Sequence, residues 1–142
     1  MTTHDIKSVR ALLEDAGLEI YRAHAEEIEL AERVRLHIMD SGVRVKLKDG
    51  LVLRFSARSQ RSDFPADSPD ALYERVHQAI GIPCSSRGFA ESERRVVEVK
   101  DPVDDSRMLD VWHEIVYEKT CDESSLVEEL RWVLALEKYI GA

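Results

Sequence analysis

The stretch His24 to Met39, HAEEIELAERVRLHIM, decides what kind of molecule this chain makes. Read as a helix, Ile28, Leu30, Ala31, Val34 and Ile38 share one broad face, and the glutamates at its start suit the positive end of a helix dipole. Read as a strand, Arg33-Val34-Arg35-Leu36-His37-Ile38 alternates with period two, which places Val34, Leu36 and Ile38 on one side. A helix would scatter those arginines and aliphatics around its cylinder, so the alternation favours a strand over 33–39.

The neighbouring residues extend that pattern. Asp40-Ser41-Gly42 reads as a turn, and Val43, Val45 and Leu47 follow on the same face. Lys48-Asp49-Gly50 supplies the next reversal, and Leu51, Leu53 and Phe55 complete an antiparallel meander. Its other face carries Arg33, Arg35, Arg44, Lys46 and Arg54. Leu18 and Ile20, alternating with Glu19 and Tyr21, admit one further strand over Leu18 to Arg22.

Helices flank the meander. Ile6, Val9, Leu12, Leu13 and Ala16 recur at helical spacing, with Thr2 and Thr3 available as caps and Gly17 placed to end the helix. Ser68-Pro69-Asp70 is a helix start with a capping serine, a proline at the first position and an acid in the first turn. Leu72, Val76, Ala79 and Ile80 would be its buried stripe and Gly81 its end. Ser125-Leu-Val-Glu128 reads as a capping box opening a last helix to Ile140, apolar over more of its girth than one buried stripe requires. The segments 56–67 and 82–93 read as loops. Val97 and Val99 pair with Leu109, Val111, His113, Ile115 and Tyr117 through the turn-rich DPVDDSR. The expectation is one α+β domain over residues 1–142, an antiparallel β-meander packed by three helices, in the order α-β(3–4)-α-β-β-α.

Bulk composition narrows the function. The chain has 142 residues, 44% apolar and 34% charged, enough for one domain that buries roughly 68% of its unfolded surface. Its longest apolar runs fall well short of the roughly 18 residues that would suggest a membrane span, and MTTHDIKSVR carries no secretory pattern, so the cytoplasm is the expected compartment. Cys84 and Cys121 lack the regular spacing of a disulfide framework. The net charge of −8 is concentrated late: residues 1–62 hold 11 basic and 10 acidic side chains, residues 63–142 hold 9 and 18. Such a surface repels nucleic-acid phosphates and favours partners with basic or apolar faces.

Catalytic patterns are sparse. Cys84-Ser85-Ser86-Arg87-Gly88 evokes a cysteine phosphatase loop, yet that chemistry separates cysteine and arginine by five residues and position 90 is alanine. Exposure of Cys84 in a loop would still make it the more accessible thiol. Asp101, Asp104, Asp105 and Asp110 match no calcium-loop spacing and read as a hairpin connection. His4, His24, His37, His77 and His113 show no metal-ligand spacing; His113, on the face of Val111 and Ile115, reads as a core or interface histidine. Catalytic residues, metal ligands and cofactors are accordingly not assigned, and the chain reads as a non-enzyme.

Two surfaces suit binding. Trp112, Trp132, Leu136 and Tyr139 are the candidate anchors for a protein partner, because large aromatic residues concentrate interface energy. Arg54, Arg58, Arg61 and Arg87, with Arg94 or Arg95, are the alternative, a phosphate-sensing or ligand-sensing cluster. In layout, size, acidity and apolar last helix the chain resembles the type III secretion chaperone-like group, in which a helix, three strands, a helix, two strands and a helix follow in that order. That resemblance implies a homodimer that binds extended segments of another protein, dimerising through the sheet and second-helix region. The leading expectation is therefore a chaperone-like or adaptor-like protein-binding module.

Overall fold

The disputed stretch is extended, but its reversal lies elsewhere than the pattern suggested. In the computed structural model, which describes residues 5–142, β2 spans Glu27–Val34 and β3 spans His37–Leu47. The chain turns at Arg35-Leu36, pairing Val34 with His37 and Arg33 with Ile38. Arg35 takes the left-handed conformation, φ 59°, that such a tight turn demands. Val34, Leu36 and Ile38 are thus exposed on a projecting hairpin and do not join the core.

Asp40-Ser41-Gly42 is correspondingly a bulge within β3 and not a turn. The register between β2 and β3 shifts there, Ser41 Oγ donates to the Leu30 carbonyl at 2.6 Å, and the Asp40 carboxylate accepts from the Gly42 amide at 2.9 Å. An aspartate bonding two residues ahead and a glycine at φ 80° serve a bulge as well as a turn.

The other elements are α1 (Ile6–Asp15), β1 (Ile20–His24), β4 (Leu51–Gln60), α2 (Pro69–Val76), a π-helical turn (His77–Gly81), α3 (Ile82–Ser86), β5 (Ala90–Lys100), β6 (Met108–Cys121), α4 (Glu123–Leu134) and β7 (Tyr139–Ile140). The chain is α+β with an antiparallel meander. Strands follow the hydrogen-bonded order β1-β2-β3-β4-β6-β5, and β7 pairs with β4. Two compact units result, Met1–Phe55 with Glu118–Leu136, and Ser56–Tyr117 with Glu137–Ala142.

The first unit buries Val9 and Leu13 of α1, Ile28 and Leu30 of β2, Val43 and Val45 of β3, Leu51, Leu53 and Phe55 of β4, and Leu126, Leu130 and Val133 of α4. Gly17, at φ 83°, ends α1 as expected: its amide donates to the Glu14 carbonyl and that of Leu18 to the Leu13 carbonyl, each at 3.0 Å. The cap is Asp5, whose side chain accepts from the Lys7 amide; Thr2 and Thr3 lie outside the described residues. The charged face of this unit is a network in which Arg44 holds Asp40 at 2.6 Å and Glu29 at 3.1 Å.

The last helix is shorter than its pattern promised. Asp122 caps it, its carboxylate accepting from the Ser125 amide at 3.0 Å, and the helix stops at Leu134, short of Ile140. Its buried positions, Leu126, Glu129, Leu130 and Val133, form one stripe. Tyr139 and Ile140, counted as surplus helical apolar surface, are strand.

The second unit buries Ala57, Leu72, Val76, Ile80, Cys84, Phe89, Val111, Ile115, Val116 and Tyr117. Ser68 caps α2 as expected, its hydroxyl accepting from the Ala71 amide. Gly81 does not end the helix as expected, and of residues 82–93, read as a loop, only 87–89 lie between elements. The helical run continues through a π turn into α3, with Pro83 at the junction between them. Ala79 is exposed, since the π turn rotates it off the buried stripe. Residues 56–60, read as a loop, complete β4, with Ala57 and Ser59 buried in strict alternation.

Candidate functional site

In the second unit, β4 is flanked on one edge by β6, and the Arg61 amide donates to the Val111 carbonyl at 2.9 Å. Its other edge takes β7, in parallel, with Arg58 opposite Tyr139 and Ser59 opposite Ile140. The Arg58 amide donates to the Lys138 carbonyl at 2.8 Å. Backbone groups alternate between edges with period two, so Ser56, Arg58 and Gln60 present theirs on this side.

Side chains gather above that pairing. The Arg58 guanidinium lies 3.9 Å from the Trp112 ring centre and 5.3 Å from that of Tyr139. The Tyr139 hydroxyl donates to the Asp63 carboxylate, a bond that raises its pKa. With its amide oxygen turned toward the donors, Gln60 accepts from Trp112 Nε1 at 3.0 Å and Arg58 Nε at 3.2 Å, while its nitrogen reaches Tyr139 and Asp110. Burial works against the Asp110 charge, yet bonds from Ser62 at 2.6 Å and from the Val111 amide at 2.8 Å hold its pKa below the ordinary value.

Beside β7 runs an open groove of about 590 Å³. Ala71, Ala79 and Ile140 give it apolar surface, and Asp67, Glu74, Arg75 and Gln78 make its polar rim. The rim is internally bonded: Arg75 Nε donates to Asp67 at 2.5 Å, the Arg75 guanidinium carbon lies 3.7 Å from the Phe64 ring centre, and Gln78 donates to Glu74 at 2.6 Å. Ser59 ties the strand to α2 by donating to the Leu72 carbonyl at 2.7 Å.

Of the candidate anchors, Trp112 and Tyr139 meet at this place, whereas Trp132 and Leu136 are half-buried residues of the first unit. Of the arginines, Arg58 belongs to the cluster. Arg61 is exposed, with Nη2 3.8 Å from Met108 Sδ, Arg87 caps α3, and Arg54 of the first unit lies 3.5 Å from Glu118. Arg94 and Arg95 hold Glu91 and Glu114 at 2.5 and 2.9 Å. Gln60, Asp63, Ala71 and Ile140 escaped the sequence reading as site residues: 56–67 passed for a loop, Ala71 lies off the apolar stripe read for its helix, and Ile140 passed for helix.

Cys84 corrects another expectation: it is buried, and burial pushes its thiol up to about 12. The aspartates of the β5–β6 connection bond their own turn, Asp101 accepting from the Val103 amide and Asp104 from Ser106. His113 is buried edge-on to Tyr73, with ring centres 5.1 Å apart. Its Nδ1 has no hydrogen-bond partner among the described residues.

Other surfaces compete less well. β5 is an exposed strand, but Glu91, Glu93, Arg94, Arg95, Glu98 and Lys100 along it oppose pairing with a further strand. The β2–β3 hairpin exposes Val34, Leu36, Ile38 and Met39, with Leu36 at 96%. Among the described residues, no group of three or more His, Cys, Asp or Glu is placed to hold a metal, and no helix is long and apolar enough to cross a membrane. No protein-family model, no curated protein and no solved structure matches the chain.

Proposed function

We propose that this protein is a non-enzymatic binding module of chaperone or adaptor type, working as a homodimer in the cytoplasm, that takes an extended segment of another protein along β4. The observation that carries this reading is the β4 edge itself, which accepts a short added strand beside an open groove with apolar walls. Strand addition supplies affinity through main-chain bonds, and pockets for alternate side chains supply specificity. The likeness to the type III secretion chaperone-like group extends to a helix, a meander, a second helix, two strands and a further helix, with β1 and β7 as additional strands and α2 prolonged through the π turn into α3. The projecting apolar hairpin is a fitting surface for self-association.

The test is selection of binders from a library of random ten-residue peptides. Enriched peptides are titrated against the wild-type chain and against Ala79→Arg, whose exposed side chain lies on the groove wall. Enrichment with loss of binding in the variant supports the reading; failure to enrich any peptide, or equal binding to both chains, refutes it. Light scattering over a hundredfold concentration range checks the dimer, and a monomeric mass throughout would remove that part.

A further inference from the structure

Resting on that reading, we infer that Lys138–Ile140 is a built-in occupant of the peptide site, and that partner segments share its chemistry: an extended stretch in which an aromatic residue is followed by an aliphatic one. Lys138, Tyr139 and Ile140 each contact the site. Lys138 takes the Arg58 amide proton on its carbonyl, the Tyr139 ring lies beside the Arg58 guanidinium while its hydroxyl bonds Asp63, and Ile140 contributes to the groove wall.

The occupant is lightly held. Pairing covers two residues, below the usual three to ten for a strand, and Tyr139 is 42% exposed. A longer ligand in the same parallel register would extend the pairing toward Ser56, and a larger side chain at the Ile140 position would fill more of the groove that Ile140 borders. Such a ligand competes with an intramolecular segment whose effective concentration is in the millimolar range, so for an intrinsic Kd of about 100 μM the occupant weakens apparent binding roughly tenfold. The β7 segment would then screen partners, excluding those that cannot outcompete it.

The experiment uses the full chain and a fluorescent peptide of sequence LEKYIGA, residues 136–142. It is titrated by anisotropy against the wild type and against the full-length double variant Tyr139→Ala/Ile140→Ala. The expected result is binding roughly tenfold tighter to the variant, with LEKAAGA losing at least tenfold toward both chains. Equal affinity for the two chains, or equal binding of LEKAAGA, overturns the inference. If LEKYIGA binds neither chain while library-selected peptides bind, this inference falls and the proposed function stands. If no peptide binds, both fall. Circular dichroism verifies the fold of the double variant, and should it be unfolded, Ile140→Ser replaces it with the same expected direction.

Discussion

Gly81→Ala tests whether the helical run at 69–86 is shaped by what surrounds it. Gly81 sits at φ −59° and ψ −41°, an ordinary helical conformation, so alanine there should add about 1 kcal/mol of helix propensity. The space opposes it. A β-carbon would lie 2.7 Å from His77 Nδ1 and 3.0 Å from the hydroxyl of Tyr117, and the latter side chain is 2% exposed. Overpacking a filled site costs about 1–3 kcal/mol, and the larger figure applies where a buried ring must move. The net expectation is a loss of about 1–2 kcal/mol, or a Tm lower by about 3–6 °C at about 3 °C per kcal/mol. Urea titration followed by far-UV circular dichroism measures it. Ala79→Gly is the control: Ala79 is exposed in the same π turn, and that change should cost about 1 kcal/mol from propensity alone. In a Tyr117→Phe background the Gly81→Ala loss should shrink by at least about 0.5 kcal/mol. An alanine variant as stable as the wild type would show that the contacts do not govern this position.

Three further outcomes are expected. A double-mutant cycle on Arg58→Met and Trp112→Ala should give a coupling of about 1 kcal/mol in urea titrations, and a value within about 0.3 of zero would refute the stacking. Burial lowers the His113 pKa, and the Arg61 charge acts in the same direction, so the unfolded chain takes the proton first. Stability should therefore fall as pH drops below about 6.5, and His113→Phe should flatten the urea midpoint between about pH 7.5 and 5.5; parallel profiles would contradict this. With Cys84 pushed up to about 12 and Cys121 to about 11, iodoacetamide at about pH 8 should alkylate neither thiol in the folded chain within minutes, and both once urea is added. Mass spectrometry that found rapid native alkylation would contradict the burial of Cys84 and the partial burial of Cys121.

What was legible in the sequence was whatever local chemistry settles alone. Gly17 ends α1, Ser68-Pro69-Asp70 begins α2, and Lys48-Asp49-Gly50 turns the chain between β3 and β4 as its composition implies. The errors arose where one pattern serves two geometries. The alternation at 33–38 persists across a two-residue reversal, and Arg35-Leu36 offers none of the glycine or asparagine that marks such a turn, whereas the misleading signal at Asp40–Gly42 serves a bulge. Three overlapping caps, Asp122, Ser124 and Ser125, compete for one helix start, and Asp122 takes it. At the site, Trp112, Tyr139 and Arg58 were legible as residue types, but their convergence depends on parallel pairing between Arg58 and Tyr139, some eighty positions apart, which no local periodicity encodes.

The electrostatics of that convergence are consistent with the binding role proposed for it. General acids and bases work best with pKa values brought near the working pH, commonly by burial and by opposed charges. Here the resolved shifts run the other way. Asp110 is held low, which fixes it as an acceptor for Ser62, and Tyr139 is raised, which fixes it as a donor to Asp63. Each group keeps one charge state across the physiological range, so Arg58 has a constant field in which to stack between two rings. Under the proposed function, a site built of fixed donors, fixed acceptors and aromatic faces would distinguish partners by shape and hydrogen-bond direction. That property would suit the proposed segment along β4, whose main chain would bond at Arg58 and whose side chains would meet Arg58, Asp63 and the groove beside α2.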